Sequence, residues 1–180
     1  MEKRLYENPL IGDRIFFRKY AQEPGEAVTI IDVELKPGGG NELHYHQKFD
    51  EHFECLEGEL SLEVAKRIIV LQPGEKATAP RRAVHRFFNQ SGTYNRFRVT
   101  VSPGHAGFER VLKIAYGLAG DGLLNAKGHP KKFWHLGTLV ELSDTNLPGL
   151  LGLLQPLLRR SARRARADGR YARELQPYTE

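Results

Sequence analysis

The chain has 180 residues, 40% hydrophobic and 27% charged with a net charge of +5, a size and composition that suit one globular domain with its own core. No segment approaches the roughly 20 consecutive apolar residues of a membrane-crossing helix, and the opening MEKRLYENPLIGDRIFF has no apolar run of signal-peptide length. Cys55 is the single cysteine, which excludes an intramolecular disulfide, and the charge excess sits after Leu158 (seven arginines, three acids) rather than along the body, where a nucleic-acid binder would carry it. A cytoplasmic protein without a nucleic-acid partner is expected.

The first two-thirds of the chain reads as strands. Residues 14–20 and 27–35 are β-rich, and Pro37-Gly38-Gly39-Gly40 marks a turn. Further strands are expected at 44–46, 52–56, 59–64 and 67–71. After Pro73-Gly74 come 76–79, 83–88 and 96–102. Leu60, Leu62 and Val64 alternate with Ser61 and Glu63, the period of a strand with one buried face. Short strands at regular turn spacing predict a sandwich or barrel over residues 1–106. The period then changes. Phe108, Val111, Leu112 and Ala115 are spaced i, i+3, i+4, i+7, which predicts a helix over 107–119, and a second is expected over 131–142. Residues 107–180 therefore read as a helical extension packed on the same domain.

The informative spacing is Gly38-x5-His44-x-His46-x4-Glu51-x6-Gly58, followed by Gly74-x5-Pro80-x4-His85-x3-Asn89. Histidines at i and i+2 on a strand share a face, so two imidazoles can meet one ion. A short turn brings Glu51 opposite them, and His85 adds a third imidazole from a distant strand. Three neutral nitrogens and a carboxylate suit one divalent transition metal (Fe, Mn, Ni, Co, Cu or Zn) and leave an octahedral ion two open positions.

These two segments, PGGGNELHYHQKFDEHFECLEG and PGEKATAPRRAVHRFFN, resemble the two motifs of the cupin superfamily, and the likeness covers about 14–102. The resemblance implies a double-stranded β-helix, or jelly-roll barrel, with metal ligands at His44, His46, Glu51 and His85, as in small single-domain bacterial members. Where this family usually has glycine two residues after the motif proline, the chain has Arg82, a residue to which a left-handed turn is costly.

Among the other residues, His52 should point out of the barrel by alternation, while His105, His129 and His135 are expected to face solvent. Cys55 should face inward as a small buried hydrophobe, and Phe53 and Phe87, each two residues from a ligand, should line the cavity with it. Leu150, Leu153, Leu154, Leu157 and Leu158 form a helical apolar stripe followed by Arg159, Arg160, Arg163, Arg164 and Arg166. Packing of those leucines on the barrel or a partner subunit is favoured over a membrane surface. With the apolar N-terminal strand, the stripe leads us to expect a homodimer.

The resemblance to quercetin dioxygenase-like cupins implies a metal-dependent oxidoreductase acting on a small organic molecule, with Glu51 as a proton acceptor. A non-catalytic binder of a metal or small ligand, or a sugar isomerase, stays open beside it, because the same barrel hosts all three.

Overall fold

The computed structural model describes residues 3–10 and 12–179. Eleven strands are present among them: β1 (Leu5–Asn8), β2 (Asp13–Lys19), β3 (Thr29–Leu35), β4 (Tyr45–His46), β5 (Asp50–Glu57), β6 (Leu60–Val64), β7 (Arg67–Leu71), β8 (Lys76–Ala79), β9 (His85–Phe88), β10 (Asn95–Ser102) and β11 (Thr145–Asn146). Four α-helices accompany them: α1 (Ala106–Gly120), α2 (Phe133–Leu142), α3 (Gln155–Ala167) and α4 (Arg170–Glu174).

One sheet runs β1-β2-β3-β10-β5-β8 and the other β7-β6-β9, and every pairing is antiparallel. Bridges Gly40–Phe88 and His44–His85 add the 40–46 segment beside β9, and β11 then pairs with β4. The two sheets face each other as a jelly roll with C-terminal helices, as expected. Alternation explains the interior: Phe97, Val99 and Val101 of β10 are buried, while Arg96, Arg98 and Thr100 are only partly covered. They pack with Phe17, Ile31, Val33, Leu35, Phe53, Cys55, Leu60 and Leu62 into one core.

Strand bounds fall within two residues of those read from the sequence, but β1 and β11 were not anticipated. β1 is a short edge strand, and the two residues of β11 carry no periodicity to detect. Ser61 also departs from the simple alternation, being buried at 1% exposure with a hydrogen bond from Gln90.

Helix α1 has two working faces. Phe108, Leu112, Ala115 and Tyr116 lie on the barrel core, while Ile114, Leu118 and Ala119 join Leu124, Trp134, Ala165 and Leu175 in a second core among the helices. The Glu109 carboxylate is buried at the seam and accepts from Ala21 N (2.7 Å) and Thr29 Oγ1 (2.5 Å), pinning the helix to the start of β3.

Three expectations about the C-terminal third need correction. His135 is buried rather than solvent-facing; its ring contacts Trp134 and its Nε2 lies 3.3 Å from Glu174. His105 is half-buried and caps α1, its Nδ1 accepting from Phe108 N at 3.0 Å; only His129 faces solvent. Finally, the leucine stripe does not pack on the barrel: Leu150, Leu153, Leu154 and Leu157 are exposed, and Leu158 alone is buried. The reason is a change of period. Gly149–Leu154 is a 3-10 turn, with three residues per turn rather than 3.6, so the stripe loses its common face before α3 begins.

The buried face of α3 is Gln155, Leu158, Ala162 and Ala165, and the two alanines allow close approach to α2. Gly137 of α2 completes that contact, because a Cβ there would run into the Leu158 carbonyl. Gly137→Ala should therefore overpack the α2–α3 seam and destabilise the protein by roughly 1–3 kcal/mol. Urea denaturation followed by circular dichroism measures this, and an unchanged midpoint would contradict the contact.

Candidate metal centre

The four motif residues reach one point from three strands and the segment before β4. His44 and His85 are paired directly across neighbouring strands, exchanging His44 N to His85 O (3.0 Å) and His85 N to His44 O (2.8 Å). Gly40 permits this approach, since a Cβ there would collide with the Phe87 carbonyl and Phe88. His46 lies two residues on, on the same face. The His44 ring centroid is 4.4 Å from that of His85 and 4.8 Å from that of His46. Glu51 comes from β5 of the facing sheet, with Oε2 2.7 Å from His85 Nε2 and 3.9 Å from His46 Nε2.

One ligand atom from each of the four residues falls within 4.8 Å of all the others. His46 and His85 are 2% exposed, Glu51 5% and His44 9%.

The turn before His85 takes the form that glycine usually supplies. Ala83 N donates to Pro80 O at 3.0 Å, and Arg82 sits at φ 67° in the left-handed region. Asp50 offsets part of that strain by accepting from Arg81 N at 2.7 Å, while Arg82 N donates to His46 O at 2.7 Å. The departure from the motif therefore leaves the turn intact and ties it to the strand of His46.

The histidine tautomers follow from their partners. Each Nδ1 faces a main-chain carbonyl, Glu42 O for His44 (2.8 Å), Asp144 O for His46 (3.3 Å) and Ala83 O for His85 (2.8 Å). A carbonyl can only accept, so each Nδ1 carries a proton and each Nε2 points into the cluster. That Nε2 is without a proton at His44 and His46, and at His85 has one only when the ring is charged and donates to Glu51. His46 Nε2 is buried with no hydrogen-bond partner, an arrangement that a metal ion would satisfy. The donor set thus fits a divalent transition metal.

Burial and the neighbouring imidazoles hold His44 neutral, its pKa lowered to about 4. His46 is lowered mainly by burial. His85 is raised despite burial, because its Nε2 donates to Glu51. Glu51 is kept ionised, lowered to about 2 against its own burial by the His85 hydrogen bond and the surrounding imidazoles.

Aromatic rings surround the cluster. Phe49 stacks on His46 at 4.2 Å, Phe108 meets His46 edge-on at 5.9 Å, and His105 approaches Phe49 at 5.3 Å. Helix α1 therefore roofs the barrel at the His46 side. Phe53 comes within 6.5 Å of His85, whereas Phe87 packs on Phe97 and Cys55 lies in the core beyond them. Burial raises the Cys55 thiol, as for an inert core cysteine. His52 points outward and is exposed. A surface cleft of about 450 Å³ lined by Glu7, Asn8, Gly12, Asp13, Arg14 and Tyr94 lies elsewhere, and no ligand residue borders it.

Asp144 is the residue that sequence reasoning missed. It is buried at φ 55°, its carbonyl faces His46 Nδ1, and its carboxylate accepts from Gln47 N (2.7 Å) and Lys48 N (2.9 Å). No local signal marks it, since it lies 98 residues beyond His46 in a segment read as helical trim.

The cupin domain family matches residues 31–102, from within β3 to the end of β10. The barrel is a cupin domain. Among solved structures, an RmlC-like cupin from Shewanella frigidimarina is 19% identical, with 59% of this chain covering 89% of that one at a TM-score of 0.50. This likeness supports the fold. A cupin-2 domain protein from Rhodospirillum rubrum is 19% identical over 56% of this chain and 64% of its own, with a TM-score of 0.45. A sugar phosphate isomerase of the cupin superfamily from Silicibacter pomeroyi is 26% identical over 52% of this chain and 62% of its own, with a TM-score of 0.46. The chain thus spans less than two-thirds of these last two cupins. No curated protein matches the sequence.

In the metal-free cupin barrel, His44 stays neutral down to about pH 4, whereas the unfolded chain takes up that proton near 6.5. The unfolded state binds more protons across that window, so stability falls as pH drops from 6.5 towards 4. His46, His105 and His135 are lowered and act in the same sense. Calorimetry with a chelator should give a lower melting temperature at the acid end; a flat or rising profile would contradict a buried neutral His44.

Proposed function

We propose that the cupin barrel binds one divalent transition-metal ion through His44, His46, Glu51 and His85 and uses it in oxidoreductase chemistry of the dioxygenase type on a small organic molecule. The observation that carries the metal site is the convergence of three Nε2 atoms whose Nδ1 partners are main-chain carbonyls, one of them buried without any partner of its own. When bound, the ion would be held by His44, His46, Glu51 and His85 and would supply Lewis-acid or redox chemistry.

The chain's own residues set the conditions for that chemistry. Phe49, Phe53 and Phe108 keep the surroundings of the ligands apolar, which suits dioxygen and an apolar substrate better than a sugar or sugar phosphate. Glu51, lowered to about 2, is a weak proton acceptor, so we assign it to holding the ion rather than to moving a proton. His85 would have to give up its Nε2 proton to bind an ion, because in the metal-free barrel that nitrogen donates to the ionised Glu51. Asp144 sets the turn after His46 and receives its Nδ1–H, so we assign it the role of positioning that ligand.

The purified protein should carry close to one transition-metal ion per chain by elemental analysis. His44→Ala and His85→Ala should each lose most of it while retaining β-sheet circular dichroism. Full metal content in both variants would refute the site, and oxygen uptake that never depends on an added organic substrate would favour plain binding over oxygenation.

Asp144→Ala should weaken cobalt(II) binding by roughly 10- to 100-fold at unchanged circular dichroism. Unaltered affinity in that variant would remove Asp144 from the site.

Self-association belongs to the same proposal, since β1 is a free edge of the six-stranded sheet and carries an exposed Leu5. Light scattering at micromolar concentration should give a dimer mass.

A further inference from the structure

We propose that Leu150, Leu153, Leu154 and Leu157, together with Arg160 and Arg164, form a docking surface for an anionic lipid bilayer. The four leucines are 83%, 73%, 48% and 57% exposed within eight residues, on the 3-10 turn Gly149–Leu154 and the first turn of α3. Scattered surface leucines are ordinary, but four exposed within eight residues concentrate apolar surface on one short segment.

The adjoining charge identifies the partner. From Thr145 to Ala167 the chain has five arginines and no acidic residue. Arg163 and Arg166 reach back to Glu141 at 3.3 and 2.6 Å, and Arg159 to Asn146 at 3.0 Å. Arg160 and Arg164 are exposed and make no side-chain hydrogen bond or close ion pair with the described residues, Asp168 reaching Arg164 only through longer-range attraction. Leu157, Arg160 and Arg164 are spaced i, i+3, i+7, so the unpaired cations continue along α3 from the exposed leucines.

A bilayer surface accommodates both features at once. Leucine side chains enter the acyl boundary while guanidinium groups meet lipid phosphates one turn away. A second copy of the chain, docked about a two-fold axis, would bring its own uncompensated arginines towards these. A nucleic acid would leave the leucines in water. Among the described residues no helix is long and apolar enough to cross a membrane, so the docking is peripheral.

The test uses the full chain in sedimentation with phosphatidylglycerol–phosphatidylcholine vesicles, compared with phosphatidylcholine alone. The variants are Leu150→Ser with Leu153→Ser, and Arg160→Ser with Arg164→Ser. All four positions are exposed, so melting temperatures should match the parent. Binding to the anionic vesicles is expected, at least about tenfold weaker for each double variant and for uncharged vesicles, and reduced at high salt. Absence of binding at low salt would overturn the proposal. So would binding retained by the leucine variant, which would reduce the effect to charge alone. A third overturning result is a dimer that becomes monomeric in the leucine variant without any vesicle binding, which would assign the patch to a second copy.

Discussion

Three imidazoles and one carboxylate buried within 4.8 Å of one another set the central constraint on this molecule. An apolar barrel tolerates such a group only if each polar atom is satisfied, and the main-chain hydrogen-bond pair between His44 and His85 supplies the geometry for that. It aligns two rings on one face, and the carbonyls of Glu42 and Ala83 fix their tautomers. Among the fully buried atoms of the cluster, His46 Nε2 has no hydrogen-bond partner among the described residues, a gap that an ion would fill. The close approach at Gly40 and the strained turn at Arg82 both serve the same register.

The helical segment takes part in the centre rather than decorating it. β11 extends the sheet next to β4, Asp144 holds the turn after His46, and Phe108 of α1 covers the ring stack of His46 and Phe49. A change in the packing of α1, α2 or β11 therefore reaches the histidine–glutamate cluster through a short chain of contacts. The seam of α2 and α3 matters for this reason, since Gly137 and the alanines of α3 govern how closely the last helices settle.

The leucines that precede this seam stay outside. The 3-10 turn before α3 leaves Leu150, Leu153 and Leu154 exposed, and Leu157 is exposed on the first turn of α3. Burial of Leu158 and exposure of Leu157 show how completely one step along the helix separates core from surface.

Much of the barrel and its site was legible in the sequence because both rest on local rules. Period-2 alternation located most strands, Gly and Pro clusters located the turns, and the i, i+2 spacing of His44 and His46 put both imidazoles on one face. Strand alternation also predicted the outward His52 and inward Cys55. What the tertiary structure alone decided involves partners distant in sequence. Asp144 reaches Gln47 and Lys48 across nearly a hundred residues, His135 is buried by Trp134 and the Glu174 segment, and the leucine stripe lost its helical face to a 3-10 turn. Periodicity records which residues share a face of their own element. It carries no information on what that face meets, and that is set only when the elements pack.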